Sequence, residues 1–317
     1  MCYRHPIPVE FDRYLYEAVV RTDLGQNIDQ VFAIIKHESP RIENSPSVPS
    51  AEHLGLVEPM FAVKPLYIRL LVFMARLGLP IQKSISLVSA GSYFILAMIV
   101  GLWTRRPIPA ALLVSAPQFL ELGRTGTPDA FAAVFVLLGI WGVERGRLTP
   151  GISFLMISIW ARTDNLLIVV TVLAWLFLTK RLPFYAAGAL ALTAFASVQV
   201  INHFTGNHGW RVLFRCSFLA CAPPFDSMPP VTIREYLGVF ASQLPVLVPY
   251  LALWCLLAAA VWMLDPASRT LLAVILIACA FHFLLFPSSE QRFFSWAFLI
   301  TGVLFIRSLP PFRLYSS

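Results

Sequence analysis

After residue 66 the chain is a succession of apolar runs separated by short polar turns. A membrane-spanning helix needs about 20 consecutive apolar residues. The pattern predicts apolar segments at 84–104, 107–121, 130–143, 150–161, 165–179, 183–201, 243–264, 270–286 and 291–308. Three of these, 107–121, 130–143 and 150–161, are too short to span alone. Pro107, Pro128 and Pro150 bound them, and proline suits the first turn of a helix. Short helices are tolerated at membrane depth where they pack within protein or line a cavity. Residues 66–80, LYIRLLVFMARLGLP, carry Arg69 and Arg76 among apolar positions and read as an interfacial amphipathic helix. The expected fold is therefore all-α. Residues 67–317 form a polytopic transmembrane helical bundle of about eight or nine membrane segments. Residues 1–66 form a polar first-loop segment, and a second long polar loop covers 202–242.

Composition agrees with that pattern. The 317 residues are 58% hydrophobic and 13% charged, against about 25% charged in an ordinary soluble domain. The expected setting is a lipid bilayer, with the chain as a multi-pass integral membrane protein. A net charge of +7 raises the question of a nucleic-acid partner. The basic residues form no single patch and lie in short turns between apolar runs, which argues for topology signals and against nucleic acid.

If the segments alternate sides, one set of short connections carries Arg105, Arg106, Arg145, Arg147, Lys180, Arg181, Arg269, Arg307 and Arg313, against Glu144 and Asp265. The short connections of the other set carry only Arg124, Arg162 and Arg292. The positive-inside rule assigns the first set to the cytoplasm. The opposite, non-cytoplasmic face then collects ELGRTGTPD, RTDN, the 202–242 loop, PSSEQR and the polar start of the chain. Residues 1–66 contain no apolar segment to carry them across, so a first transmembrane helix is expected upstream of Met1.

Candidate chemistry gathers on that face. PVEFDRYLYEAVV holds Glu10, Asp12, Tyr14, Tyr16 and Glu17; on a helix, Asp12 and Tyr16 share a side. A carboxylate among rings suits a general base beside a sugar. The plainer reading is a solvated amphipathic helix with an i,i+4 Arg13–Glu17 pair. In TGTPDA, Thr127 fits a helix cap, Pro128 the first helical position and Asp129 the positive helix end, and in RTDN Thr163 or Asp164 fits likewise. Capping does not account for Arg124 and Arg162, because a helix N-terminus disfavours cations. Arginines beside free N–H groups make a phosphate receptor. Glu290 and Arg292 in FPSSEQRFFSW read either as interfacial anchors or as a further phosphate contact. Lys64, in FAVKPLY, is expected near the headgroups. Two histidines five apart in NHFTGNH are a poor metal pattern, and no metal is expected. Cys216 and Cys221 are near enough in sequence to pair in an oxidising compartment.

Together, EFDRYLY in a first outer loop, an amphipathic helix, TPDA opening a membrane helix and a following ARTDN resemble the GT-C glycosyltransferases. These polytopic enzymes use polyprenyl-phosphate-linked sugars, as in the dolichyl-phosphate-mannose-dependent mannosyltransferases and the aminoarabinose transferases. The resemblance implies inverting transfer on the non-cytoplasmic face to a glycan, lipid or protein acceptor. It implies Asp12 as the base, with Glu10 as the alternative, and Asp129 as the second acidic position. Tyr14, Tyr16, Lys64, Arg124, Arg162, Asp164, Glu290 and Arg292 are the expected substrate contacts. No cofactor is expected, since an electrostatic clamp of arginines on the leaving phosphate needs no nucleotide and no Gly-rich loop. Intramembrane charge is also compatible with a transporter or channel, and a non-catalytic membrane scaffold is the third reading.

Overall fold

The computed structural model describes residues 9–38, 48, 50–219 and 225–310. Among them every regular element is helical. Three helices, α1 (Val9–Asp23), α2 (Ile28–Glu38) and α3 (Ala51–Ala62), precede the amphipathic α4 (Pro65–Arg76). The apolar part comprises α5 (Ile81–Thr104), α6 (Pro107–Val114), α7 (Pro117–Arg124), α8 (Asp129–Glu144), α9 (Leu148–Ala161), α10 (Leu166–Leu178) and α11 (Phe184–Thr205). It continues through α12 (Trp210–Phe218), α13 (Ile233–Leu264), α14 (Arg269–Leu285) and α15 (Ser295–Ser308).

Four units are long and apolar enough to cross a membrane: α5, α11, α13, and α14 with the short 3-10 turn Pro266–Ser268 before it. A fifth is formed by α7 and α8 if that pair, bent by 116°, counts as one broken span. The predicted 107–121 segment is thus two pieces, α6 and α7, the second beginning at Pro117. The segment predicted to start at 243 begins ten residues earlier. There the Thr232 hydroxyl accepts a hydrogen bond from the Glu235 N–H and the Glu235 carboxylate accepts one from the Thr232 N–H, a complete capping box.

Helices α8 and α9 lie at the centre. Their close contact follows from three glycines. A Cβ on Gly151 would sit 2.7 Å from the Val143 nitrogen and 2.9 Å from the Gly139 carbonyl oxygen, and one on Gly142 would sit 3.0 Å from the Gly151 Cα. Small residues let helix backbones approach in this way where lipid supplies no hydrophobic drive between them. Gly151→Ala should therefore push α8 and α9 apart, at a cost of about 1–3 kcal/mol. A thermal-unfolding midpoint in detergent equal to that of wild type would remove this contact. Gly188→Ala on α11, where a Cβ meets nothing within 4 Å, is the neutral control.

The outer helices expose what the inner ones bury. Only 17% of the apolar stretch of α11 and 22% of that of α13 is buried against protein. Phe195, Phe204, Leu253, Leu256 and Trp262 stand among the exposed large side chains. Apolar surface on this scale needs a nonaqueous neighbour, and a bilayer supplies it.

The two ends of the bundle differ chemically. At one end Glu144 accepts from Trp103 Nε1 at 2.7 Å and pairs with Arg307, Arg181 Nη2 donates to the Val143 carbonyl at 2.6 Å, and Arg106 Nη2 donates to the Leu309 carbonyl at 2.6 Å. Four of the basic connections are thereby tied together; Arg313 lies outside the described residues. Asp129 opens α8 at the other end, about 22 Å away at 1.5 Å per residue. Above that end α1, α2 and α3 pack around Leu15, Val31, Ile35 and Leu54. Val212, Phe225 and Met228 join the same apolar cluster, and His208 Nε2 lies 3.0 Å from the Leu56 carbonyl. Much of the predicted 202–242 loop is thus helix, seated on the N-terminal helices. Cys216, in α12, is disulfide-bonded; Cys221, Pro223 and Pro224 lie outside the described residues.

Candidate functional site

The site is assembled from four separate stretches of sequence. Helix α1 brings Asp12, the start of α8 brings Asp129, and the extended residue ending α9 brings Arg162. A 3-10 turn at Thr163–Asn165 contributes Asp164, and a second, Gln291–Phe294, contributes Arg292, with Glu290 directly before it. Arg162 has φ −155° and ψ 121°, which breaks the helix and turns its side chain back across the end of α8.

Two arginines hold four carboxylates. Arg292 donates from Nη1 to Asp12 Oδ2 at 2.5 Å, across 280 positions of sequence, and from Nε to Glu290 Oε2 at 2.5 Å. Its Nη1 is also 3.9 Å from Asp129 Oδ2. Arg162 pairs with Asp129 through Nη1 and grips Asp164 through Nε at 3.0 Å and Nη2 at 2.6 Å. Phe293 lies under both guanidinium groups, 4.9 Å from Arg162 Cζ and 5.3 Å from Arg292 Cζ. Such charge-assisted forks are short and directional. Arg162 is 8% exposed and Asp129 is 4% exposed, so the Arg162–Asp129 pair is desolvated.

This arrangement corrects the capping expectation. Neither Asp129 nor Asp164 accepts from a helix N–H. Thr127, expected to cap α8, donates its hydroxyl to Asp129 Oδ2 at 2.5 Å, and Pro128 precedes the helix instead of opening it. The aspartates serve arginines, and α8 is left without a side-chain cap.

Tyr16 and Lys64 border the cluster. Tyr16 is buried, edge-on to Phe61 and Tyr67, each at 5.4 Å between ring centres. Burial, with Asp12 adding repulsion, pushes its hydroxyl well above the usual phenol range, so it remains a neutral donor. The Lys64 ammonium lies 5.2 Å from the centre of the Tyr16 ring and 5.3 Å from that of Phe61. Desolvation, helped by the Arg162 charge and opposed by Asp12 and Asp164, lowers it to about 7. Lys64 thus changes charge near neutrality, against the Tyr16 and Phe61 rings.

Two expected members stand elsewhere. Arg124 is exposed and meets only Glu121, at 3.8 Å, among the described residues. Tyr14 turns away, its hydroxyl 3.4 Å from the Glu38 carbonyl. The side chain of Glu10 lies outside what the structure describes. The Arg13–Glu17 surface pair is also replaced. Glu17 is fully buried, accepts from Arg21 Nη2 at 2.6 Å and receives the Gln82 amide, while Arg13 Nη2 donates to the Gln82 carbonyl at 2.9 Å. Burial raises the Glu17 carboxyl against the pull of Arg21. A Glu17→Gln change therefore breaks a buried pair and does not merely trim a surface.

His282 was not legible as a site residue. It sits in the apolar run of α14, 6% exposed, with Nε2 3.9 Å from Asp164 Oδ2 and its ring 5.2 Å from that of Phe294. Nothing in ILIACAFHFLLF announces a partner 118 residues earlier. Asn165 was likewise missed; its amide donates to the Ser158 carbonyl at 3.1 Å and ties the turn to α9.

A narrow crevice of about 10 Å³, room for little more than one water, lies among these groups and is lined by Asp129, Arg162, Asp164, Arg292, Phe293 and Trp296. Comparison with protein-family models, with curated proteins and with solved structures finds no match to this chain.

Proposed function

We propose that the chain is a membrane-embedded glycosyltransferase, taking a sugar from a polyprenyl-phosphate donor and passing it to an acceptor with inversion. The observation that carries this reading is the double arginine cluster. Arg292 and Arg162 converge at the end of the bundle remote from the basic connections, beside one carboxylate from the N-terminal region, Asp12. In this reading the carboxylates occupy, on Arg292 and Arg162, the positions that a lipid phosphate takes in the donor complex.

The chemistry follows from an exchange of partners. Donor phosphate enters the crevice and takes the guanidinium groups, releasing Asp12 from Arg292. An acceptor hydroxyl or amine then gives its proton to the freed Asp12 carboxylate as its oxygen or nitrogen bonds to the anomeric carbon. The bond between that carbon and the phosphate oxygen breaks with its electron pair, and the leaving phosphate is stabilised by Arg292 and Arg162. Tyr16 donates a hydrogen bond without losing its proton. Lys64 adds positive charge as pH falls through about 7. The acceptor is a glycan, lipid or protein reached from the non-cytoplasmic side.

A multi-pass topology belongs to the same reading, with the tied basic connections cytoplasmic and the arginine cluster outside. Reporter fusions after Arg147 and after Arg181 should report cytoplasm, and fusions at Asp164 and Gly206 the outer side. The reverse pattern would put the cluster on the cytoplasmic face and end the proposal. Transfer is tested with purified protein in nanodiscs and radiolabelled polyprenyl-phosphate sugars. Neither transfer nor donor hydrolysis across a panel of sugars would favour a scaffold. A transporter reading has less support, because the charges gather at helix ends and not at mid-length, where transport sites lie.

A further inference from the structure

A second cavity lies outside the arginine cluster, where α1 meets the start of α5. It is an open groove of about 360 Å³ lined by Arg13, Gln82, Lys83, Ser86 and Leu87. Two of the five lining residues are cations and none is a carboxylate. Glu17, the nearest acid through Gln82, is buried and already held by Arg21. Arg13 is fixed in place by its bonds to Gln82, whereas Lys83 is exposed and its ammonium has no partner among the described residues.

Below the groove the outward face of α5 continues as an apolar stripe. Leu87, Ile95, Met98 and Leu102 are 45–58% exposed, and with Gly91 they follow the i, i+4, i+8, i+11, i+15 spacing of one helix face. Gly91 is a notch in that stripe, for a Cβ added there meets nothing within 4 Å. A cationic recess at the head of a bilayer-length helix, opening onto a notched apolar stripe, matches one chemical object: an amphiphile with an anionic phosphate and an alkyl chain.

We propose that this groove is a binding site for an anionic phospholipid of the surrounding bilayer, with its phosphate between Arg13 and Lys83 and one acyl chain along Leu87, Gly91 and Ile95. Charge complementarity selects the headgroup, and the stripe selects a lipid over a soluble phosphate. The site needs α5 to cross the bilayer but does not depend on glycosyl transfer, so it stands or falls separately from the role of Asp12.

Native mass spectrometry of the delipidated full chain, offered equal phosphatidylglycerol and phosphatidylcholine, tests the assignment. Wild type should retain phosphatidylglycerol preferentially, and Lys83→Gln, an exposed change, should lower that preference about fivefold, as expected for one cation near an anionic headgroup. Gly91→Phe, which fills the notch without touching charge, should also expel the lipid. Excess inorganic phosphate, carrying the charge without the chain, should leave the lipid bound. Equal retention of both lipids by wild type, or an undiminished preference in Lys83→Gln, would overturn the proposal. Displacement of the lipid by phosphate alone would overturn the assignment to a bilayer lipid.

Discussion

Asp12→Asn should reduce transfer from a polyprenyl-phosphate sugar by about 10²–10⁴-fold, the usual contribution of a general base, while leaving the protein folded. Asparagine keeps the size of aspartate and an oxygen that can still accept from Arg292, so the bridge between the N-terminal helices and the start of α15 persists. What it cannot do is take the acceptor's proton. The measurement is the initial rate in nanodiscs at saturating donor, with the melting midpoint as a folding check. A loss in kcat at unchanged midpoint fits the base assignment. Near-normal turnover in Asp12→Asn together with an inactive Glu10→Gln would move the role to Glu10. Normal turnover in both would end the assignment of this helix to the chemistry.

Arg162→Leu should destabilise the fold by about 3–5 kcal/mol, because it leaves charges buried without their partner. Asp129 is 4% exposed and loses its closest cation, and Asp164 loses a two-point grip. For a solvated phosphate contact, lysine would weaken donor use yet spare the folded protein. Burial changes that expectation for Arg162. Lysine cannot reproduce a fork that serves two carboxylates, so Arg162→Lys should also lose folded protein. Arg124→Lys, at an exposed site, should lose none. Combining Arg162→Leu with Asp129→Leu should recover part of the loss, since a buried carboxylate no longer lacks its partner. Unfolding midpoints of the purified variants decide this, and a wild-type midpoint for Arg162→Leu would mean that the cluster does not form.

Arg292 differs from Arg162 in what it joins. Both of its shortest contacts, to Asp12 and Glu290, involve side chains that are partly open to solvent. It is therefore the arginine better placed to exchange a carboxylate for a phosphate. That asymmetry, invisible when the three arginines are read as equivalent motif positions, comes from burial alone.

The sequence by itself determined the helical class, the setting and the approximate segments. Helix boundaries in an apolar chain follow from prolines, turns and runs of uncharged residues, all of which are local. It also determined which connections carry basic charge, and four of those connections meet at one end of the structure. Motif reading picked out Asp12, Asp129, Arg162, Asp164, Glu290 and Arg292, and these do come together. It could not say who would pair with whom. Local spacing favoured Arg13 with Glu17 and caps for Asp129 and Asp164, because i,i+4 and N-cap geometries are the only contacts a linear pattern contains. Only the tertiary structure decided that Glu17 turns inward to Gln82 and takes Arg21, its other i,i+4 neighbour, in place of Arg13, that Arg292 reaches Asp12 across the chain, and that His282 approaches Asp164. Such choices depend on which groups are removed from water together, since burial strengthens a charge pair and penalises a charge left alone. That is a property of packed neighbours and not of sequence separation.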